Sequence, residues 1–198
     1  SYMVVFGGRR TEPFEISLSD ETISEVNEEK LLGIYIESDL KWSKQIDKVV
    51  NDTNYVLSKL KRLRQHLGKK ELKILADGLF MSKLRYCLPV YAAESIRLEA
   101  SEPKSTQLQK LQRNQNKMLR TITGTRQRDH VRIADLLQST GFLSVNQSAA
   151  YGLLAKVWKA REFSMPVLGN ILDRRPNDTS TLLSDSASNM AATGQDKL

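Results

Sequence analysis

Short apolar runs in the first part of the chain predict strands. Ser1–Phe6 is one such run, and Phe14, Ile16 and Leu18 alternate with polar residues at the period of a half-buried strand. The segment Lys30–Ile36 is apolar almost throughout, which predicts a central strand buried on both faces. Because the intervening segments are short, we expect antiparallel pairing, with a turn at Gly7–Arg10.

From Trp42 onward the apolar positions recur at steps of three and four, which is the period of an amphipathic helix. The first predicted helix takes Ser43 as its N-cap and stops at Gly68. The second predicted helix is kinked or ended by Pro89. Its predicted inward residues are Leu72, Leu75, Ala76, Leu79, Phe80, Leu84, Cys87 and Tyr91.

Three more helices are predicted after a polar link over residues 94–105. The first covers Leu108–Ile122 and stops at Gly124, and a short helix over Ile133–Gln138 follows. The last helix takes Ser144 as its N-cap. Its predicted inward residues are Val145, Ala149, Leu153, Leu154, Val157 and Trp158.

These elements predict an α+β fold that is mostly α, in which a small antiparallel sheet precedes a bundle of about five helices. We assign residues 1–40 to the sheet region and residues 41–165 to the bundle. Residues 166–198 contain too few apolar side chains to offset the entropy of ordering them. A weakly structured tail is therefore expected.

Positive charge is concentrated on the predicted helices. Lys and Arg number 30 against 23 Asp and Glu, yet residues 1–30 are acidic, so the excess falls on residues 58–90 and 104–132. A solvated helix face would mix Glu among its cations, whereas a phosphate-binding track would not. We expect the cations to converge into one such track, with a solvated face as the alternative. The predicted nucleic-acid-binding residues are Lys59, Lys61, Arg62, Arg64, Lys69, Lys70, Lys73, Lys83, Arg85, Arg113, Lys117, Arg120, Arg126 and Arg128.

Several kinds of chemistry are unsupported by the sequence. A single Cys and two His argue against a disulfide framework, a thiolate zinc site or a His-based metal site. Asp39, Asp47 and Asp52 surround the start of the first helix, where acidic side chains favour the helix dipole more simply than they bind a metal. Phosphate-binding loops and nucleophile motifs are missing, and no apolar run reaches the length of a membrane span. We assign no catalytic or metal-binding residue and no membrane contact.

Several short segments gain meaning when they are read together in chain order. They are Met3–Gly7, Ile16–Ile23, Lys30–Ile34, Asp39–Trp42, Gln45–Ile46, Leu84–Cys87, Leu108–Gly124 and Ile133–Gln147. In this order they resemble the C-terminal part of the reverse transcriptase (RNA-directed DNA polymerase) of non-LTR retrotransposons, over roughly residues 2–165. The chain has Leu31 where that family usually has an aromatic residue, and Gln45 where it usually has His.

The resemblance implies a primer-grip-like segment at the palm edge, formed by Leu31, Leu32, Gly33 and Ile34, followed by a thumb-like helical bundle. It implies an RNA template and a DNA primer as partners, together with the fingers and palm of the same polypeptide. The family's magnesium-binding aspartates would precede Ser1, so Mg²⁺ belongs to the parent polymerase domain. We expect this chain to be a fragment that is inactive alone and intracellular, in the nucleus or cytoplasm.

Two alternatives remain open. A basic helical protein-interaction module would dock an acidic partner and would present an exposed apolar patch beside the basic residues. An inactive remnant of a retroelement would have the same sequence features as a working fragment.

Overall fold

The computed structural model describes residues 2–6, 15–18, 21–93, 96, 103 and 105–163. Within these residues the fold is mostly α, with small sheets before a helical bundle, as predicted. The predicted turn at Gly7–Arg10 and the predicted weakly structured tail lie outside the described residues. A division into two compact units falls between Gly152 and Leu153.

Five short strands form two sheets near the start of the chain. The first sheet has the order β1-β3-β2 and the second pairs β4 with β5. The pairs β2·β3 and β4·β5 are antiparallel hairpins, which confirms the predicted pairing, whereas β1 runs parallel to β3. The strands are β1 (Tyr2–Met3), β2 (Glu15–Leu18), β3 (Glu21–Glu25), β4 (Glu28–Leu31) and β5 (Ile34–Glu37).

The prediction of a central strand over Lys30–Ile36 is wrong, because the segment is a hairpin that bends at its middle. Leu32 and Gly33 have φ values of 49° and 86°. Two consecutive positive φ angles form the tight turn whose twist matches the flanking strands. Leu31 and Leu32 are 58% and 83% exposed, while Ile34 is buried. The apolar run therefore forms the tip of a hairpin.

Helices make up most of the described chain after Trp42. A π-helical segment, Ala76–Met81, joins the second helix to the third, and a 3₁₀ turn covers Gln127–Asp129. The helices are α1 (Ser43–Leu63), α2 (Lys69–Leu75), α3 (Ser82–Arg85), α4 (Leu88–Tyr91), α5 (Thr106–Thr123), α6 (Ile133–Thr140) and α7 (Val145–Glu162).

Local signals fixed some helix ends and missed others. Gly124 adopts the left-handed conformation directly after α5, as predicted. Ser144 and Gln147 form a reciprocal cap at the start of α7, since the Ser144 hydroxyl accepts from the Gln147 amide and the Gln147 side chain accepts from the Ser144 amide. Gly68 does not end α1, which stops at Leu63; it lies immediately before α2 instead.

Helices α1 and α5 run side by side in the same direction. Near their starts, Lys110 pairs with Asp47. At mid-length, the buried amide of Asn114 donates to the Thr53 hydroxyl at 2.7 Å. At their ends, Arg64 donates to the carbonyl of Gly124. Both helices therefore end at the same side of the bundle.

The π-helical segment changes which residues of the second predicted helix face the core. The amide of Ser82 donates to the carbonyl of Asp77, five residues back, so the helix is locally underwound. Phe80 is fully buried, but Leu79 is 49% exposed, contrary to its predicted inward position. The wider turn also shifts the residues that follow it by one position. Leu84 is therefore buried, whereas a regular helix would turn Lys83 toward the core.

The inward face predicted for the last helix is only partly correct. Val145 and Ala149 are buried in the core. Leu153, Leu154 and Trp158 are exposed, by 41%, 54% and 60%. The apolar residues of α7 are distributed around its whole circumference, so their spacing does not define one buried face.

Candidate functional site

Basic residues meet where α1 and α5 end. The guanidinium of Arg64 donates to the carbonyl of Gly124 at 3.3 Å. A Cβ atom on Gly124 would lie 2.8 Å from that guanidinium, and φ at Gly124 is 82°, so glycine is needed here. Lys61 and Arg62 are exposed in the last turn of α1, close to Arg64. These cations also suit the negative ends of the two helix dipoles.

A second basic group faces a groove between α2, the end of α5 and α6. We call it the lysine groove and define it by Lys69, Lys70 and Lys73. The ammonium of Lys73 lies 5.9 Å from the centre of the Phe142 ring. The groove is open to solvent, has a volume of about 530 Å³ and is also lined by Asp135.

A third basic group lies along α1 and α5, and we call it the α1–α5 flank: Lys61, Arg113 and Lys117. Residues 110, 113 and 117 follow steps of three and four, so they form one stripe on α5. The 2.7 Å ion pair of Lys110 with Asp47 places that stripe beside α1, on the side that also carries Lys61. Arg113 and Lys117 are exposed.

The cations therefore do not form one track. The lysine groove includes Ile122 of α5, which lies five residues, or about 140° around the helix, from Lys117. The α1–α5 flank and the lysine groove are consequently on different sides of α5, with Arg64 at the helix end between them. The sequence pattern located both groups but could not separate them.

Arg120 has a positioning role. Its guanidinium donates to the carbonyls of Arg126 at 3.1 Å and Val131 at 3.2 Å. These bonds hold the loop after α5, on which Arg126 and Arg128 are exposed. Arg120 thus commits two of its donors to the fold.

Three predicted cations, Lys59, Lys83 and Arg85, lie elsewhere. Lys83 lines a pocket beside Gly33 and Lys48, and sixteen residues of α1, about 24 Å, separate Lys48 from Arg64. Arg85 forms an ion pair with Asp77 at 2.9 Å.

Lys59 is also placed apart from the basic groups. Its ammonium lies 4.3 Å from the centre of the exposed Tyr55 ring. Its hydrogen bond and positive charge lower the pKa of the Tyr55 hydroxyl. Tyr55 and Lys59 are one turn apart and lie away from the side of α1 that faces α5.

Acidic residues are gathered at the opposite end of α1. Glu28 pairs with Lys44, and Glu37 accepts from the backbone amide of Lys44. The acidic hairpin β4–β5 therefore sits at the start of α1, a helix about 30 Å long. In the described ranges, Lys61, Arg62 and Arg64 at its far end form no ion pair. Of the predicted binding residues that the structure describes, Arg85 alone forms an ion pair.

The expected role of three aspartates at the start of α1 is wrong. Trp42, and not the predicted Ser43, occupies the N-cap position, and it provides no side-chain cap. Asp39 and Asp52 instead pair with Lys41 and Lys48 at 3.0 Å, and Asp47 pairs with Lys110. The backbone amide and the side chain of Lys41 lower the pKa of Asp39.

The hairpin tip is held in place by Tyr86. The Tyr86 hydroxyl donates to the carbonyl of Leu32 at 2.7 Å, and the aromatic ring lies beside Gly33. Gln45, which is buried, accepts from the amide of Tyr35 at 3.1 Å and anchors β5 to α1. The exposed leucines of the tip are thereby fixed on the bundle.

Replacing Tyr86 with phenylalanine should loosen the hairpin while leaving the bundle folded. The lost hydrogen bond is worth about 1 kcal/mol, and water can replace it at the exposed tip. We expect the backbone amides of β4 and β5 to exchange several-fold faster with deuterium, with little change in the melting temperature. Tyr151→Phe, at a 67% exposed tyrosine, is the matched control. Equal exchange in both variants would show that the bond does not hold the tip.

Among the residues that the structure describes, no group of three or more His, Cys, Asp or Glu is placed to hold a metal ion. No helix in these ranges is both long enough and apolar enough to cross a bilayer. Comparison of the chain with protein-family models, with curated proteins and with solved structures found no match.

Proposed function

We propose that the helical bundle binds the backbone of an RNA–DNA hybrid, as the thumb-like part of a non-LTR retrotransposon reverse transcriptase. The observation that supports this most directly is the α1–α5 flank, which ends near Arg62 and Arg64. Its three cations are exposed and have no acidic partner among the residues that the structure describes. The chain would hold template and primer, and the proposal assigns it no bond-forming step. Such a role belongs in the nucleus or the cytoplasm.

Parallel helices suit this form of binding. A polymerase must hold any sequence, so its grip relies on phosphates rather than on base edges. Packed helices have axes about 8–10 Å apart, which lets cations on both contact one strand. Lys61 on α1 and Arg113 and Lys117 on α5 supply those charges. Asn54, which is exposed on the same side of α1, adds a neutral hydrogen-bonding group.

The hairpin tip provides a second contact in this proposal. Leu31 and Leu32 are exposed apolar side chains on a backbone that Tyr86 holds, as a primer-grip-like element requires. Gly33 of the tip and Lys48 line one pocket, so the tip lies near the start of α1. Lys48 is thirteen residues, or about 140° around the helix, from Lys61, so the tip and the α1–α5 flank are on different sides of α1.

The proposal is tested by hybrid binding across a salt series. A phosphate-binding surface predicts saturable binding that depends little on sequence, with an affinity that falls steeply with salt. Replacing Lys61, Arg62 and Arg64 with alanine should reduce the slope of log K against log salt by about 2 to 3.

The matched control replaces Lys41, Lys44 and Lys48 with alanine. It removes the same charge from the opposite end of α1, where each lysine already pairs with an acid. The control should retain the full slope. Equal slopes in the wild type and both variants would exclude this surface as the binding site.

A protein-interaction module is the second candidate, and exposed apolar residues on α7 favour it. Leu154 and Trp158 are 54% and 60% exposed, and Lys156 and Lys159 lie beside them on the same helix. This function predicts weak and non-saturable hybrid binding that the flank substitutions do not change. The same salt series therefore separates the two candidates.

A further inference from the structure

The lysine groove has properties that the hybrid proposal does not use. We propose that Lys69, Lys70 and Lys73 bind a small ligand with adjacent phosphate groups, of the pyrophosphate or polyphosphate class. The site lies on a different side of α5 from the α1–α5 flank, so the two proposals stand independently. Its volume of about 530 Å³ is within the usual range for small-molecule sites.

The free groove concentrates charge of one sign. Lys69 and Lys73 are four residues apart on one helical face, where like charges repel. Lys69 and Lys70 also occupy the first turn of their helix, where the dipole disfavours cations. None of these three ammonium groups has an ion pair or hydrogen bond in the described part of the chain, and Asp135 balances only one of them. An anionic ligand would relieve this repulsion.

The other groups in the groove select for charge rather than for directional hydrogen bonds. The hydroxyls of Thr123, Ser139 and Thr140 donate to carbonyls of their own helices, so their protons are already used. Ile122 and Leu136, which are both buried, give the groove an apolar part of its lining. Ammonium groups bind phosphates as point charges, and the described residues that line the groove include no arginine to form a fork with a carboxylate. Three cations against one carboxylate fit a multiply charged anion better than a single monoanion.

The test is a calorimetric titration of the full chain with pyrophosphate, orthophosphate and sulfate at matched ionic strength. We expect saturable one-to-one binding of pyrophosphate, at least tenfold tighter than sulfate binding. Lys69→Ala/Lys70→Ala should weaken it at least tenfold. Lys156→Ala/Lys159→Ala, which removes the same charge from exposed positions on α7, should leave it unchanged.

Asp135→Asn provides a gain-of-affinity test that a misfolded variant cannot imitate. Removing this carboxylate leaves the three lysines unopposed, so pyrophosphate should bind several-fold more tightly. Equal affinity for pyrophosphate and sulfate, or equal weakening by the two double alanine variants, would overturn the proposal.

Competition then identifies where the phosphates come from. Displacement of pyrophosphate by a strand with a 5′-diphosphate, but not by the same strand with a 5′-hydroxyl, would support a strand terminus as the ligand. Failure of both strands to displace it would support a free polyphosphate. Equal displacement by both strands would show that ordinary backbone phosphates suffice and would overturn the assignment to adjacent phosphates.

Discussion

Replacing Arg113 and Lys117 together with glutamate should weaken binding of an RNA–DNA hybrid at least a hundredfold near physiological salt. Each charge-assisted contact with a phosphate contributes about 1.5 to 3 kcal/mol, and loss of two contacts exceeds the roughly 2.7 kcal/mol that a hundredfold change requires. The glutamates would also repel the strand. Fluorescence anisotropy with a labelled hybrid measures the change.

The fold should tolerate this substitution. Both side chains are exposed, and the exchange replaces one like-charged pair at positions i and i+4 by another. The control is Lys156→Glu/Lys159→Glu on α7, which alters the net charge by the same amount at exposed positions. If both variants lost affinity equally, binding would reflect the overall charge of the chain rather than the α1–α5 flank.

Replacing Phe80 with alanine should lower the free energy of unfolding by about 3 to 5 kcal/mol. The ring is completely buried and belongs to the main core. Truncation removes the free energy of its burial and leaves a cavity that the close-packed neighbours can fill only partly. Denaturant unfolding monitored by circular dichroism measures the loss.

The adjacent residue supplies the control for Phe80. Leu79→Ala should cost less than about 1 kcal/mol, because half of that side chain already contacts solvent. In a regular α-helix Leu79 would lie on the same face as the buried Leu72. Leu79→Ala would then destabilise the fold as severely as Phe80→Ala. Equal losses of unfolding free energy in the two variants would contradict the π-helical segment Ala76–Met81.

The length of a helix and its final glycine are local properties, and sequence predicted them well for α5. Its apolar residues recur at helical spacing, and Gly124 alone can adopt the left-handed conformation that ends it without a steric penalty. Burial of the hairpin residues, by contrast, could not be predicted from neighbouring residues alone. Leu31 and Leu32 are as apolar as core residues, yet a turn at Leu32–Gly33 places them at an exposed tip. The prediction failed there because hydrophobicity does not encode where a chain reverses.

The sequence by itself determined that this protein has a mostly helical body with a small β region and that its positive charge lies on the helices. Only the tertiary structure decided that these cations divide between the α1–α5 flank and the lysine groove, and that Arg120 supports a loop. The physical reason is that periodicity records the order of residues around one helix. How neighbouring helices are rotated and aligned depends on long-range contacts, such as those of Asn114 with Thr53 and of Arg64 with Gly124.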